Sequence, residues 1–164
     1  MSAAQVIQNP LLDKKLINAF IDGVKMTLST MAQTNTVCGK PFIETDFKLR
    51  GDIAGMVGMV APPMKGTLII SFPKESIFLI IKNMIGEEHT EITTDVSDAV
   101  GELTNMIYGS AKTSLNQMGY NFEMAIPTIV RGDFVISKTQ VAATLVIPFQ
   151  LENKSEFYIE ITVS

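Results

Sequence analysis

The sequence predicts an α+β fold in which two long helices pack on a largely antiparallel β-sheet. Three observations support this fold class. The 164-residue chain is long enough for one domain, residues 1–164, to bury a core without disulfide or metal support. Its patterned segments follow the order helix, strands, short helix, long helix, strands. The two long helices and the segments after them also match each other, which indicates internally duplicated helix-plus-strands units.

The first long helix is predicted over residues 10–31. Asn9 is a suitable N-cap, and Pro10 is favoured at the first helical position. Gly23 lies inside the pattern and weakens it slightly. The apolar residues recur at the spacing of one helical face, and they are Leu12, Leu16, Ala19, Phe20, Val24, Leu28 and Met31.

The remaining elements follow from turn residues and hydrophobic periodicity. Pro73 and Gly86 bracket a short helix over 74–85, and an acidic loop then leads to the second long helix over 95–118. Segment 42–50 has no clear pattern. The predicted strands are 53–60, 67–72, 128–131, 139–149 and 157–163, and the last of these alternates cleanly between apolar and polar residues.

A repeat is visible when the first long helix is shifted by 87 positions onto the second, so that Leu16 lies over Leu103. The other matches are Asn18 with Asn105, Lys25 with Lys112, Leu28 with Leu115, and Met31 with Met118. Any two amphipathic helices share leucines in phase, but the matched asparagine and lysine favour a true duplication. The first repeat is expected over about 10–72 and the second over about 95–163, with the short helix between them.

The composition argues against several classes of protein. A net charge of −4 disfavours nucleic acid as a partner, because phosphate binding requires a dense basic surface. No apolar run is long enough to span a membrane, and the N-terminal residues lack an export signal. We therefore expect a cytoplasmic protein with no membrane partner. The hydrophobic fraction of 46% suggests a further buried surface, such as a dimer interface.

Conventional catalytic and metal sites find little support in the sequence. With one cysteine, Cys38, and one histidine, His89, the chain cannot build an intramolecular disulfide or a Cys/His zinc site. His89 and the acidic residues around it, in 86–91, fit a solvated loop better than a catalytic triad or a metal site. Cys38 could be an activated thiol, although a partly buried apolar role is more usual for a lone cysteine. No metal site is predicted.

The second long helix carries a polar stripe. Asp98, Glu102, Asn105 and Gly109 follow one another at intervals of four, three and four, so they share one helical face beside the apolar stripe. Two interpretations remain open from the residues alone. The stripe is either an ordinary solvated face, or a rigid platform on which the backbone of another molecule approaches Glu102 and Asn105 closely.

The segment from Asp98 to Gly109, together with Pro127, resembles the signature of the CheC/CheX/FliY chemotaxis phosphatases. In that family an acidic or serine residue precedes a Glu-x-x-Asn pair by three intervening residues, and 21 residues separate the asparagine from a proline. Asp98, Glu102, Asn105 and Pro127 fit each interval. The resemblance extends over about residues 12–163 and is greatest to the CheX-like members.

The resemblance implies an enzyme that hydrolyses the aspartyl phosphate of a CheY-like response regulator. Asn105 would orient the attacking water and Glu102 would dock on a regulator lysine, with Asp98, Gly109 and Pro127 in supporting roles. The chain would need no cofactor of its own, since the regulator would supply Mg²⁺. A homodimer is implied as well, and pairing through sheet edges, with the regular final strand as one such edge, is expected.

The repeat predicts a single site in each chain. Lys15 and Asn18 of the first helix lie opposite Glu102 and Asn105, so a cation stands where the acid is needed. Two alternatives remain. The chain could bind a response regulator or a flagellar-switch component without hydrolysing anything, or it could be a homodimeric small-ligand sensor whose methionine-rich segment 56–64 lines an apolar groove.

Overall fold

The computed structural model describes residues 13–45, 50–132 and 143–163. Its helices are α1 (Lys14–Ala32), α2 (Lys74–Ile85) and α3 (Thr94–Gln117). The strands are β1 (Val37–Cys38), β2 (Phe42–Glu44), β3 (Ile53–Ala61), β4 (Met64–Phe72), β5 (Thr128–Arg131), β6 (Thr144–Gln150) and β7 (Glu156–Val163). The predicted α+β class is confirmed. Among the described helices, none is both long and apolar enough to cross a membrane.

The strands form one sheet in the order β1-β6-β7-β4-β3-β5, with β2 pairing beside β1 on β6. Every strand pairing described is antiparallel, as the sequence predicts. The final strand, β7, is hydrogen-bonded to β4 on one side and to β6 on the other. The expectation that it offers a free edge is therefore wrong. Its regular alternation reflects one apolar face, with Phe157, Ile159 and Ile161 in the core, and one more polar face, and it does not mark an edge strand.

The two halves of the chain exchange their outer strands. β1 and β2, which follow α1, lie on β6 of the second half, whereas β5, which follows α3, lies on β3 of the first half. From one end, the sheet has the outer strand β1, then β6 and β7 of the second half, then β4 and β3 of the first half, and finally the outer strand β5. Two duplicated units would give this symmetric strand order. The boundaries of the two repeats stay a prediction.

The first helix begins later than its pattern predicts. α1 starts at Lys14, and the side chain of Asp13 caps it by accepting a 2.9 Å hydrogen bond from the Lys15 N–H. The predicted cap Asn9 and Pro10 lie outside the described residues. α3 agrees with prediction to within a residue at each end, and Thr93 is its N-cap.

The strand predictions differ mainly at strand ends. β6 begins at Thr144, and residues 139–142 of the predicted strand lie outside the described part of the chain. The short strands β1 and β2 have too few residues to show a sequence pattern, which is why they were not predicted.

The three helices share one hydrophobic core with one face of the sheet. α1 and α3 contribute buried stripes that include Phe20, Leu28, Leu103 and Ile107, and the sheet contributes alternate residues such as Ile159. Met59 and Met64 are themselves buried in this core. These two methionines therefore fill the interior, whereas Met56 is partly buried, and the small-ligand alternative stays a prediction.

The opposite face of the sheet contains a buried charge. Glu160 of β7 is fully buried, and its carboxylate accepts hydrogen bonds from Arg50 at 3.4 Å and from the Ser71 hydroxyl at 3.1 Å. Arg50 also pairs with Glu44 of β2. A buried carboxylate is tolerated only with such partners, so this network holds β2, β4 and β7 in register.

Candidate functional site

The outer face of α3 presents the residues of the polar stripe. The buried residues of α3, which include Val100, Leu103 and Ile107, point into the core. Asp98, Glu102 and Asn105 are all exposed. Because successive helical residues are rotated by about 100°, these three lie on the side of α3 opposite the core.

Gly109 leaves that face bare one turn beyond Asn105. A Cβ atom placed on Gly109 would meet nothing within 4 Å. Packing within the described chain therefore does not require glycine at this position, where an alanine would favour the helix. The surface at Gly109 is therefore open to a molecule that approaches from outside.

A close contact between Gly55 and Thr104 sets the distance between α3 and the sheet. A Cβ on Gly55 of β3 would lie 2.8 Å from the Cβ of Thr104, which is too close, so only glycine allows this approach. Thr104 is fully buried, and its hydroxyl donates a 2.7 Å hydrogen bond to the Val100 carbonyl. Thr104 directly precedes Asn105, so the candidate site lies on a part of α3 that packs closely against the sheet.

Pro127 lies in a segment that runs alongside α3 and leads into β5. The Tyr108 hydroxyl donates a 2.8 Å hydrogen bond to the Glu123 carbonyl, and burial, followed by the nearby Glu123 carboxylate, raises the pKa of Tyr108. Further along, the side chain of Ile129 lies 3.5 Å from the Cβ position of Gly101. Pro127 sits between these two contacts, and the structure therefore brings it to the flank of the α3 face.

One group of side chains has the composition of a metal site. The ligand atoms of Glu87, His89 and Asp95 lie within 4.8 Å of one another. The Nε2 of His89 is 4.0 Å from the nearer Glu87 oxygen, longer than the roughly 3.4 Å that separates two ligand atoms of a tetrahedral zinc ion. Glu88 instead pairs with Lys82 at 3.1 Å. Both carboxylates of the group are exposed, as expected for an acidic loop. The His89 side chain is only 11% exposed and its Nδ1 is buried without a hydrogen-bond partner among the described residues, so the expectation of a solvated histidine is wrong.

Cys38 has the environment of an unreactive thiol. It lies at the end of β1, is partly buried, and its Sγ donates to the Gly39 carbonyl at 3.2 Å. Burial raises the pKa of Cys38 more than the nearby Lys25 lowers it. The thiol therefore stays protonated near neutral pH and is a poor nucleophile.

The matching face of α1 carries different side chains. Lys15 and Asn18 are exposed, as Glu102 and Asn105 are on α3. Asp22 occupies the position that corresponds to Gly109, and it too is exposed. α1 thus keeps the amide but has a cation in place of the acid and a side chain in place of the bare patch.

Comparisons with known proteins agree with this fold and this helix. The family model described as chemotaxis phosphatase CheX matches residues 53–150, which include all of α3. A CheC-like superfamily protein from Shewanella sp. PV-4 is 38% identical, with a TM-score of 0.84 over 93% of this chain and 99% of that one. The CheY-P phosphatase CheX of Thermotoga maritima is 24% identical over 93% of this chain and 97% of its own length.

A complex described as CheX-CheY-BeF3-Mg+2 from Borrelia burgdorferi has the same fold. The similarity covers 90% of this chain and 97% of that one, with a TM-score of 0.73 and 21% identity.

Proposed function

The chain belongs to the CheX family of chemotaxis phosphatases, and on that premise we propose that it hydrolyses the aspartyl phosphate of a CheY-like response regulator. The observation that carries the proposal is the pair Glu102 and Asn105. They are exposed one turn apart on a helix face that points away from the core and is bare at Gly109. A convex face of this kind can enter the active site of another protein.

Asn105 is proposed to orient the attacking water. A carboxamide both donates and accepts hydrogen bonds, so it can hold a water in line with the leaving oxygen. Unlike a carboxylate, it brings no negative charge near the phosphoryl oxygens. Phosphoryl transfer depends mainly on positioning and electrostatic stabilisation, so one well-placed group can produce a large acceleration.

Glu102 is proposed to fix the approach of Asn105 by pairing with a lysine on the regulator. Its exposed carboxylate stands on the same face, one turn before Asn105. Asp98 adds a second exposed carboxylate to that face, and it would favour the same basic surface. Pro127 would support the face from its flank, and Gly109 would allow close contact.

The phosphoryl group would be held by the regulator itself. We propose that Mg²⁺ is supplied by the regulator, as the ions named in the Borrelia complex suggest, and that this chain adds no cofactor. The chain's own contribution is then the amide of Asn105 and the carboxylate of Glu102. The enzyme would act in the cytoplasm with its substrate.

A homodimer is part of the proposal, and the β1/β2 side of the sheet is its proposed interface. Val37 is 68% exposed and Ile43 is 42% exposed on that side. Exposed apolar residues on outer strands favour pairing with another chain. Light scattering should give twice the chain mass for the wild type, and Val37→Ser/Ile43→Ser should shift it towards the monomer. A wild-type monomer at micromolar concentration would refute the dimer.

Phosphate release tests the enzymatic proposal. A response regulator charged with acetyl phosphate should release phosphate faster when the chain is added, and Glu102→Ala or Asn105→Ala should remove most of that acceleration. If the wild type accelerates none of several CheY-like regulators beyond their own hydrolysis, the chain is a binding module and the phosphatase proposal is wrong.

A further inference from the structure

Two apolar side chains beside α3 are almost fully exposed. Met124 is 88% exposed and Ile126 is 90% exposed, the highest values among the large apolar residues of the described chain. We propose that these two side chains form an apolar contact strip that binds the response regulator next to Asn105. This inference rests on the proposed function, since it names a further binding surface for the same substrate.

The backbone beneath the strip is held firmly, so the exposure does not come from a loose chain. The Glu123 N–H donates to the Val60 carbonyl at 2.9 Å. The Phe122 N–H donates to the Asn116 side chain at 2.8 Å, and the Asn116 amide donates back to the Phe122 carbonyl at 3.1 Å. Phe122 is buried and Ala125 packs against the core. Ala125 lies between two exposed residues, so Met124 and Ile126 are directed outwards on either side of it.

The strip lies along the flank of the proposed docking face. Its segment runs antiparallel to α3, because Glu123 contacts Tyr108 while Ile129 contacts Gly101, which lies about two turns earlier in the helix. Ile126 is midway between these contacts and therefore lies alongside Asn105. Met124 lies between the Glu123 contact with Tyr108 and Ile126.

The charges around the strip favour a regulator over a second copy of this chain. Asp98, Glu102 and Glu123 are exposed around the apolar pair, and Lys112, partly buried, is the single basic residue of α3. A symmetric contact between two copies would bring this acidic rim against itself, which is repulsive. A partner with basic residues around an apolar patch suits the strip, and a lysine for Glu102 is already part of the proposed docking.

Steady-state kinetics with a phosphorylated CheY-like regulator test the strip. Met124→Ser/Ile126→Ser removes exposed side chains and should leave folding intact. We expect KM to rise by at least about tenfold, because two apolar side chains lose their buried contact. The change in kcat should be much smaller, since Asn105 is untouched. Met26→Ser/Ile85→Ser is the matched control, with both residues 57% exposed on α1 and α2, and its KM should stay at the wild-type value.

A binding titration with the beryllofluoride-activated regulator separates this inference from the phosphatase proposal. One outcome is that the wild type binds, the strip variant binds at least about tenfold more weakly, and neither releases phosphate. That outcome would refute the phosphatase proposal and support the contact strip. Equal affinity and equal KM for wild type and strip variant would overturn the inference. So would a fall in the solution mass of the strip variant with unchanged regulator affinity, because the strip would then serve a second copy.

Discussion

α1 and α3 are similar in what they bury and different in what they expose. They pack against each other at Gly23, whose Cβ position lies 3.2 Å from the Ile107 carbonyl oxygen. Both contribute continuous apolar stripes to a single core. On the outer faces, α1 has Lys15 and Asp22 where α3 has Glu102 and bare Gly109. Burial therefore accounts for the fold in both helices, whereas the proposed chemistry depends on a few exposed positions in α3.

The largest expected difference between the two helices is in the effect of removing the Asn105 amide from α3 or the Asn18 amide from α1. Asn105→Ala should slow dephosphorylation of the regulator by about a hundredfold, because the attacking water loses its orienting group. Asn18→Ala on α1 should leave the rate at the wild-type value. Both residues are exposed, so phosphate release can be compared at equal folded protein. Similar losses in the two variants would mean that α1 carries a second site.

The close seating of α3 on the sheet gives the next largest effect. Gly55→Ala would force its Cβ against Thr104, and we expect unfolding free energy to fall by about 1–3 kcal/mol. The displaced helix should also lower kcat at saturating regulator. Gly58→Ala is the control on the same strand, since a Cβ there meets nothing within 4 Å. Urea unfolding should separate the two variants, and equal midpoints would contradict the tight contact.

Giving α3 the charge of α1 should have a smaller effect that falls mainly on binding. Glu102→Lys places a cation where the proposed regulator lysine docks, and KM should rise by about tenfold and by more than in Glu102→Ala. Added salt should reduce the difference between the two variants, since it screens exposed charges. Lys15→Glu on α1 is the control and should not change KM. If Glu102→Lys and Glu102→Ala had equal KM values, the proposed pairing of Glu102 with a regulator lysine would be contradicted.

Alkaline pH should weaken a bond that ties the two helices together. The Tyr120 hydroxyl, just past the end of α3, donates to the Asp13 carboxylate that caps α1. Burial first, and then this hydrogen bond, raise the pKa of Tyr120 above its ordinary value of 10.0, and burial raises that of Tyr158 to about 12. The unfolded chain would ionise near pH 10, before the folded chain does.

The stabilising contribution of these tyrosines is therefore complete below about pH 10 and is lost as the pH rises from there towards the folded pKa. Urea unfolding of the wild type should show a lower midpoint at pH 10.5 than at pH 9. Tyr120→Phe should show a smaller drop over the same interval, because its unfolded chain has one fewer group to ionise. An identical drop in both proteins would exclude Tyr120 as a cause.

Local pattern predicted most of the elements but not their arrangement in the sheet. α3 and β5 follow from residue spacing because periodicity and turn residues act over a few positions. The central position of β7 depends on pairings with β4 and β6, which no local pattern encodes. The alternation of β7 also suggested a polar face at Glu160, but Arg50 and Ser71 satisfy that carboxylate from distant positions.

The candidate site divides in the same way. The intervals between Asp98, Glu102, Asn105 and Gly109 place them on one helix face, so the sequence predicts their grouping. Met124 and Ile126 were not singled out, because an apolar pair in an irregular segment gives no signal of exposure. Their exposure of 88% and 90% follows from the folded path of the segment and not from a local pattern.

The exchange of outer strands has a consequence for how the chain must fold. Neither half can complete its own part of the sheet, because β5 needs β3 and the pair β1 and β2 needs β6. The two halves should therefore unfold together in one cooperative transition instead of one after the other. Many of the stabilising contacts join residues far apart in the chain, which favours slow folding. α1, to which the proposal assigns no catalytic residue, is then indispensable for folding, since losing it would uncover the core of both halves.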